Sequence, residues 1–420
     1  MSHATQGGIV YVIPAYPPLA SQPFVVNEML EVQRSGRPLL IVPLYRGPRD
    51  TVQHGTYAAL RPARVLPPAM VDAASLALAV VAVLGWPVRV LRTLAGLHAA
   101  AGWNPWAHAR LLAVTPKALA SAWRLRAAGV THVHAHFANT TADCAAVLAG
   151  ALGIPFSFTG HAYDIYSTAP RLRNETLRWK VRHAARVIAV SEFGAALLRG
   201  LLPPEAADRV RTAYVGIPLE VFQSAPLPER DEPLRLLCVA RWCEKKGLDT
   251  LLDACALLRD RGVAFELRLF GDGPLRPALQ SQWERLGLGS CVVLGASVPQ
   301  EVVARELREC HLFVMPCRRD ATGDMDGIPT VFMEALATGR PVVSCGVSGV
   351  PELVRDGETG LLVPPNDAPA FADAVARLSG DRGLLRRLGA CGRALVEEQH
   401  DQRRCAHRVL ALVDDRGTRC

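Results

Sequence analysis

Residues 315–366 have the sequence MPCRRDATGDMDGIPTVFMEALATGRPVVSCGVSGVPELVRDGETGLLVPPN, the most informative stretch of the chain. The apolar run Leu312–Met315 just before it predicts a strand that ends at a proline and leads into a polar loop. Pro329 suits the first position of a helix, which we expect to run through Glu334 and to close at Gly339. A helix that begins beyond the carboxyl end of a strand presents unpaired N–H groups to phosphates.

Two acidic residues lie near this helix start. Asp326 lies outside the helix and Glu334 within its first two turns, so we expect both carboxylates to reach a ligand there. Glu334 also lies in an apolar run, 331–336, where a carboxylate without partners is costly. The alternative is a plain helix cap at Asp326 and a solvated helix residue at Glu334.

The alternation of strands and helices extends along the whole chain. Further predicted strands are 9–13, 39–42, 132–135, 155–158, 186–190, 234–239, 266–270, 291–294 and 341–344. Such alternation is typical of parallel, doubly wound sheets. We therefore predict an α/β chain with two Rossmann-like domains that face a cleft.

Domain boundaries follow from composition. Residues 216–233, GIPLEVFQSAPLPERDEP, are proline-rich and lack periodicity, which predicts a linker. We expect an N-terminal domain of residues 1–220 and a second domain of residues 221–395. The stretch 369–413 is predicted to be helical. A C-terminal helix, within residues 396–420, is expected to pack back on the first domain.

Charge and cysteine content limit the function classes. The formal net charge of +8 favours anionic partners such as nucleotide phosphates or acidic lipid headgroups. Nucleic acid is not expected, because no basic helix interleaved with aromatics and no zinc-finger or RNA-binding signature occurs. The eleven cysteines are scattered, without metal-site spacing. With no signal peptide visible, we expect a reducing, cytoplasmic location.

One apolar segment complicates that expectation. Residues 71–85, VDAASLALAVVAVLG, are followed by Trp86 and then by Arg89 and Arg92. The run is too short to span a bilayer, but a helix lying in the membrane surface would fit it. The inner face of the cytoplasmic membrane is thus a candidate partner. The alternative is a buried helix of the first domain.

A basic motif follows the predicted strand 234–239. Arg241 and Lys246, directly before Gly247, stand where a helix is expected to begin. Two cations beside converging backbone N–H groups can clamp a diphosphate. The alternative is an exposed basic turn.

In the first half, His161 and Asp164 follow a predicted strand in FTGHAYDIY, residues 158–166. A histidine at a strand's carboxyl end beside glycine and aspartate is a candidate cleft residue, although a structural histidine fits equally. His134 and His136 also lie at a strand. Their spacing could suggest a metal, but the sequence places no third ligand, so we expect packing there.

The segment that opens this subsection resembles the donor-binding region of glycosyltransferase family 4, which has the GT-B architecture. The mark of that family is two glutamates separated by seven residues; Asp326 and Glu334 have this spacing, with aspartate replacing the first glutamate. Similar versions occur in exopolysaccharide glycosyltransferases of the colanic-acid type. The resemblance implies that Glu334 holds the nucleotide ribose and that Asp326 contacts the donor sugar.

The resemblance extends upstream. It implies that Arg241 and Lys246 neutralise the donor diphosphate, and that His161 lies near the donor sugar and the acceptor. These residues and Asp326 form the expected catalytic set. The expected donor-binding set is Arg241, Lys246, Gly271, Gly273, Val298, Asp326, Gly327, Ile328, Thr330 and Glu334.

The opening loop, residues 14–28, is similar to the family's Ser-Glu-Thr-Phe segment, with Gln22-Pro23 in place of Glu-Thr. It is expected to border the acceptor site through Tyr16 and Ser21. Asp164 is expected either to orient His161 or to bind the acceptor.

The resemblance implies transfer of a sugar, with retention at the anomeric carbon, from a nucleoside-diphosphate sugar to a lipid-linked or oligosaccharide acceptor in bacterial cell-surface glycan synthesis. No metal or other cofactor is expected, because the cations Arg241 and Lys246 are present to neutralise the diphosphate. A sugar-nucleotide 2-epimerase of the same fold and an inactive glycan- or membrane-binding scaffold are the alternatives.

Overall fold

The computed structural model describes residues 7–18, 22–47, 59–68, 70–167, 174–228 and 233–414. The chain divides into two compact units: unit 1 is Met1–Val215 with Gln402–Cys420, and unit 2 is Gly216–Asp401. The predicted boundaries at 220 and 395 lie close to these positions without matching them. The second boundary falls later because a helix of unit 2 continues to Gln399.

The strands are β1 Gly8–Tyr16, β2 Leu39–Arg46, β3 Arg64–Val65, β4 Val130–His136, β5 Phe156–Gly160, β6 Arg186–Ala189, β7 Val210–Thr212, β8 Leu234–Val239, β9 Phe265–Phe270, β10 Val292–Gly295, β11 Leu312–Met315, β12 Val342–Cys345 and β13 Gly360–Val363. Unit 1 holds a seven-stranded sheet in the order β3-β2-β1-β4-β5-β6-β7, and unit 2 a six-stranded sheet in the order β10-β9-β8-β11-β12-β13. Neighbouring strands pair in parallel in both sheets.

The helices are α1 Pro23–Arg34, α2 Ala73–Gly85, α3 Pro87–Ala101, α4 Pro105–Leu125, α5 Thr140–Leu152, α6 Tyr163–Tyr166, α7 Leu177–His183, α8 Glu192–Arg199, α9 Leu248–Asp260, α10 Arg276–Arg285, α11 Gln300–Glu309, α12 Thr330–Ala337, α13 Val350–Leu353, α14 Ala368–Gly380, α15 Arg382–Gln399 and α16 Gln402–Asp414. They connect the parallel strands, as crossovers must. The predicted α/β class with two doubly wound sheets is confirmed.

The central strands were predictable because their side chains are buried on both faces. β8 and β11 have the predicted bounds, and Ile9 to Ile13 in β1 are buried throughout. The short strands β3, β7 and β13 lie at sheet edges and were missed.

The stretch 369–413 was predicted to be helical, and it is helical apart from short breaks. The structure has three helices there, α14, α15 and α16. Asp381 follows α14 and caps α15, since its carboxylate accepts a hydrogen bond from the Leu384 N–H group at 2.8 Å. A residue that caps a new helix ends the preceding one.

The last helix, α16, packs on α1 within unit 1. Arg37, just after α1, forms an ion pair with Asp414, and His407 lies 2.7 Å from the Glu31 carboxylate. Val409 and Val413 join the apolar cluster that covers one side of the first sheet. These contacts place the C-terminal helix in unit 1 although it follows unit 2 in the chain.

Each sheet reverses its strand order at one point. In unit 1 the reversal separates β1 from β4, and in unit 2 it separates β8 from β11. Connections leave such neighbouring strands in opposite directions, so a crevice opens between the loops at their carboxyl ends. The sheet topology therefore identifies where each unit can bind a ligand.

Candidate functional site

The crevice of unit 2 lies between the loops that follow β8 and β11. The first loop carries Arg241, Lys245 and Lys246, and the second carries Asp324 and Asp326. The two loops are joined directly, because the Arg318 N–H group donates to the Lys245 carbonyl at 2.9 Å. The basic motif and the acidic motif of the sequence thus belong to one site.

The charged side chains of these loops form ion pairs. Lys246 Nζ lies 2.6 Å from Asp326 Oδ2, and Lys245 Nζ lies 2.8 Å from Asp324 Oδ2 and 3.4 Å from Asp326 Oδ1. Burial opposes ionisation of Asp326, but Lys246 and Lys245 outweigh it and lower the pKa of that carboxyl. Burial likewise disfavours the charged Lys246, yet Asp326 raises its pKa. Both partners are therefore charged at neutral pH.

This pairing changes the expected picture in two ways. Lys246 was predicted as a cation for a ligand, and here it already holds a carboxylate. Lys245 and Asp324 were not predicted at all, although each lies within two positions of a predicted residue. Arg241 differs from both lysines: it is exposed, and no acidic side chain pairs with it among the described residues. Arg241 is the cation most available to a phosphate.

Glu334 is the fifth residue of α12 and is partly buried. Within the described ranges, no cation or hydrogen-bond donor contacts its carboxylate. Burial alone raises the pKa of Glu334 to about 7. A buried carboxyl group with a strongly raised pKa is a candidate for a functional site, where a ligand would supply the missing partner.

The start of α12 is open to a ligand as well. Pro329 precedes the helix and provides no side-chain cap, so no side chain of that residue occupies the first N–H groups. Gly327 and Ile328 are buried just before it, and the Gly327 carbonyl accepts a hydrogen bond from the Gly349 N–H group at 3.1 Å. Thr330 is the first helical residue.

The predicted glycines hold two loops together. A Cβ atom on Gly271 would lie 1.9 Å from the Ala240 carbonyl oxygen, and one on Gly273 would lie 2.4 Å from the Trp242 carbonyl oxygen. Gly271 also has a φ of +146°, which favours glycine. The loop after β9 therefore packs directly against the loop that carries Arg241. Val298 lies partly buried in the next loop along the edge, between β10 and α11.

The crevice of unit 1 contains a chain of titratable side chains. His161 follows β5, His136 ends β4, and Glu28 lies in α1. His136 Nδ1 is 3.2 Å from His161 Nε2, and His136 Nε2 is 3.5 Å from Glu28 Oε1. Burial opposes ionisation of Glu28, but His136, His134 and the Tyr11 hydroxyl lower its pKa. Glu28 is therefore an ionised carboxylate inside the unit.

The carboxylate determines the tautomers along this chain. Burial and the neighbouring His136 and His134 lower the pKa of His161 well below its ordinary value, so the ring is neutral at pH 7. An ionised Glu28 favours a proton on His136 Nε2, which leaves Nδ1 of that ring as an acceptor. If His136 is neutral, its Nδ1 accepts the Nε2 proton of His161, whose lone pair is then on Nδ1.

Glu28, His134 and His136 also have the composition of a metal site: each offers one ligand atom, and these atoms lie within 4.8 Å of one another. The sequence placed no carboxylate beside the two histidines, and the structure corrects that point. Tyr11 donates to Glu28 at 2.6 Å, and both ring nitrogens of His134 contact hydroxyls, those of Ser157 and Thr159.

Asp164 is almost fully buried, and backbone groups surround its carboxylate. It accepts hydrogen bonds from the N–H groups of Ala138 at 2.6 Å, Ala162 at 2.7 Å and His161 at 3.1 Å. Burial outweighs these donors and raises its pKa. Of the two roles expected for Asp164, this arrangement fits orientation of the His161 loop.

The other two acceptor-side predictions concern the loop after β1. Tyr16 is the last residue of β1, and its carbonyl accepts a hydrogen bond from the Gly47 N–H group at 3.0 Å. It lies at the carboxyl edge beside the strand-order reversal of unit 1. Ser21 lies outside the described residues.

Comparison with protein families matches both halves of the chain. The model "Glycosyltransferase Family 4" matches residues 71–221, and the model "Glycosyl transferases group 1" matches residues 233–381. The putative colanic acid biosynthesis glycosyltransferase WcaL of Salmonella typhimurium is 31% identical over 337 residues, which cover 77% of this chain and 81% of that protein. The amylovoran biosynthesis glycosyltransferase AmsK of Erwinia amylovora is 38% identical over 210 residues, 50% of this chain and 51% of that protein.

Solved structures share the fold. Sucrose-phosphate synthase from Thermosynechococcus elongatus has a TM-score of 0.71 at 20% identity, over 96% of this chain and 98% of that chain. Anabaena HepE, in complex with UDP, has a TM-score of 0.68 at 15% identity, over 97% of this chain and all of that one. At these identities the likeness supports the GT-B fold alone.

The raised pKa of Glu334 predicts a stability effect. Its pKa is about 7 in the folded protein against an ordinary value of 4.5, so the folded state binds the proton more tightly and loses stability as pH rises through that window. We expect Glu334→Gln to unfold at a higher temperature than wild type above about pH 7, and at a similar temperature near about pH 4.5. Thermal unfolding of both proteins at both pH values measures this. The exposed Glu301→Gln is the control, and a gain equal at both pH values would contradict the assignment.

The Glu28–His136–His161 chain predicts a tautomer. In the wild type, nitrogen-15 NMR of the histidine rings at pH 7 should show His161 protonated on Nε2. In Glu28→Gln the side-chain amide can donate to His136 instead, which reverses the chain and places the His161 proton on Nδ1. An unchanged His161 signal in this variant would show that Glu28 does not control the ring.

Proposed function

The chain belongs to glycosyltransferase family 4, and we propose that it transfers a sugar from a nucleoside-diphosphate sugar to a lipid-linked or oligosaccharide acceptor in bacterial exopolysaccharide or other cell-surface glycan synthesis. The observation that carries this proposal is the crevice of unit 2. There, Lys246 pairs with Asp326 at the strand-order reversal, Arg241 lies on the same loop as Lys246, and α12, which carries Glu334, begins just after Asp326.

Each part of that crevice has a use in sugar transfer. When the bond between the anomeric carbon and the phosphate oxygen breaks, the departing nucleoside diphosphate gains negative charge. Arg241, Lys246 and the N–H groups of α12 would stabilise that charge, and they act most strongly where it develops in the transition state. Glu334 would accept hydrogen bonds from the ribose hydroxyls, and Asp326 would contact the donor sugar. All of these charges come from the chain itself, so we propose catalysis without a metal.

We propose retention at the anomeric carbon. Inversion needs a general base that takes the acceptor proton. The two candidates in unit 1 are poorly suited to that task. The pKa of His161 is lowered by burial and its histidine neighbours, and the Asp164 carboxylate is occupied by backbone N–H groups. His161 would instead use Nδ1 to accept a hydrogen bond from a hydroxyl of the donor sugar or the acceptor.

The biological setting is proposed from the named relatives and the chemistry of the chain. WcaL and AmsK are named for colanic acid and amylovoran biosynthesis. HepE has been solved with UDP-glucose, which supports a nucleotide-sugar donor for the shared fold. Every cysteine among the described residues is a free thiol, which fits a reducing compartment. We propose action in the cytoplasm, at the inner face of the cytoplasmic membrane.

A panel of UDP-, GDP- and ADP-sugars tests the donor site, since a bound ligand raises the unfolding temperature. We expect one base to stabilise the protein and to support transfer. Lys246→Ala and Glu334→Ala should each lower transfer by about tenfold or more, because each removes a charged contact to the donor. Arg285→Ala, an exposed cation of α10, is the matched control. Rates within about twofold of wild type for both site variants would overturn the assignment.

The binding panel and the transfer assay together separate a transferase from the two alternatives, an epimerase and an inactive scaffold. An epimerase would convert the donor in the absence of any acceptor, whereas a transferase should leave the donor sugar unchanged. An inactive scaffold would neither bind the panel nor transfer sugar. Donor binding combined with acceptor-dependent transfer is the outcome that we expect.

Metal independence has its own test. We expect dialysis against EDTA to leave transfer within about twofold of the untreated rate, since cations of the chain stabilise the leaving group. Elemental analysis of the purified protein should find no stoichiometric metal at Glu28, His134 and His136. Activity lost on chelation and restored by one added divalent ion would contradict both expectations.

A further inference from the structure

Helix α2 has an apolar face that no described residue of unit 1 covers. Its inner side packs into the unit through Ser75, Ala79 and Ala82. The exposed positions of the same helix are Ala73, Ala74, Leu76, Ala77, Val80, Val81 and Leu84. Spacings of three and four residues put them on one side of the helix. A buried helix of the first domain was one expectation for this segment, and the structure shows that only three of the thirteen residues of α2 are buried.

The apolar surface continues around a bend into α3. The two helix axes differ in direction by 109° at the break, and Leu84 and Val88 stand on either side of it with 75% and 70% of their surface exposed. Leu91 follows one turn later and is exposed as well. Monomeric soluble proteins rarely expose contiguous apolar surface of this kind, so such a face marks an interaction site.

From the first residue of α2 to the start of α5, the charged residues of the chain are of one sign. Residues 73–142 contain no aspartate or glutamate, and their charged side chains are all arginine or lysine. Arg89 and Arg92 are exposed on α3, beside Val88 and Leu91 in the sequence. Arg89 donates a hydrogen bond to the Leu152 carbonyl at 3.4 Å and, like Arg92, forms no ion pair among the described residues. A face of exposed leucine and valine bordered by these arginines complements a surface that is apolar beneath and anionic on top.

We propose that the outward face of α2 and the first two turns of α3 bind the surface of an anionic lipid bilayer. Leu84 and Val88 enter the outer acyl region, while Arg89 and Arg92 contact headgroup phosphates. No single described helix is long and apolar enough to cross a bilayer, and α2 and α3, which together have that length and composition, are bent by 109°. We therefore place this face at the surface of the bilayer. Trp103, between α3 and α4, and Trp106, the second residue of α4, are exposed and suit the interfacial layer at the far end of α3.

A second copy of the chain fits this face less well than a bilayer does. In a two-fold dimer the same patch meets itself. Arg89 and Arg92 would then face arginines, with no acidic residue of 73–142 to pair with. The bilayer supplies the negative charge that the face lacks, and this inference does not depend on the proposed sugar transfer.

Vesicle flotation of the full chain tests the proposal. We expect the wild type to float with vesicles of phosphatidylcholine and phosphatidylglycerol in equal amounts, and far less with phosphatidylcholine alone. Leu84→Gln with Val88→Gln should reduce binding to both vesicles, by about tenfold or more for the anionic ones. Arg89→Gln with Arg92→Gln should remove the preference for the anionic vesicles, by about tenfold or more at low salt.

Leu197→Gln, an exposed apolar position on α8 of the same unit, is the matched control and should float like the wild type. Unfolding temperature and donor binding, both measured without vesicles, should be unchanged in all variants, which separates this test from that of the proposed function. Flotation of either double variant at the wild-type level would overturn the proposal, as would a wild type that ignores anionic vesicles. A concentration-dependent dimer abolished by Leu84→Gln with Val88→Gln would assign the face to a second copy instead.

Discussion

The parallel arrangement of both sheets is the constraint on which the rest depends. In a parallel sheet the carboxyl ends of all strands lie along one edge. Where the strand order reverses, the connections leave two neighbouring strands in opposite directions, and a crevice opens at that one place along the edge. Residues separated by some eighty positions, such as Lys246 and Asp326, meet at 2.6 Å only because β8 and β11 are neighbours there. The same logic brings α1, β4 and β5 together around His161 in the other unit.

Charge is handled differently in the two crevices. In unit 2, lysines and aspartates neutralise one another across two loops, so their desolvation is largely compensated. Glu334 has no such partner, and the cost appears as its raised pKa. In unit 1 the buried carboxylate of Glu28 is stabilised by histidine rings and a tyrosine hydroxyl. Its effect is on which ring nitrogens of the neighbouring histidines carry protons.

The sequence predicted the central strands of the sheets well, but not which charged side chains contact one another. Strands β8 and β11 were placed at their observed bounds, because buried parallel strands are apolar throughout. Glu334 was found from a carboxylate in an apolar helical run. The same signal exists at Glu28, among Val25, Val26 and Met29 of α1, but its partners come from β4, more than a hundred positions later. Sequence spacing does not reveal which distant loops meet, so Lys245 and Asp324 were missed for the same reason.

The Lys246–Asp326 pair bears on how turnover ends. Any diphosphate that takes Lys246 must compete with a carboxylate that is tethered permanently beside it, at a local concentration no free anion matches. Asp326 would thus weaken binding of the nucleoside-diphosphate product as well as binding of the donor. Without such a competing carboxylate, the leaving nucleoside diphosphate would be a stronger product inhibitor. On the proposed function, this competition would speed release of the nucleoside diphosphate after each transfer.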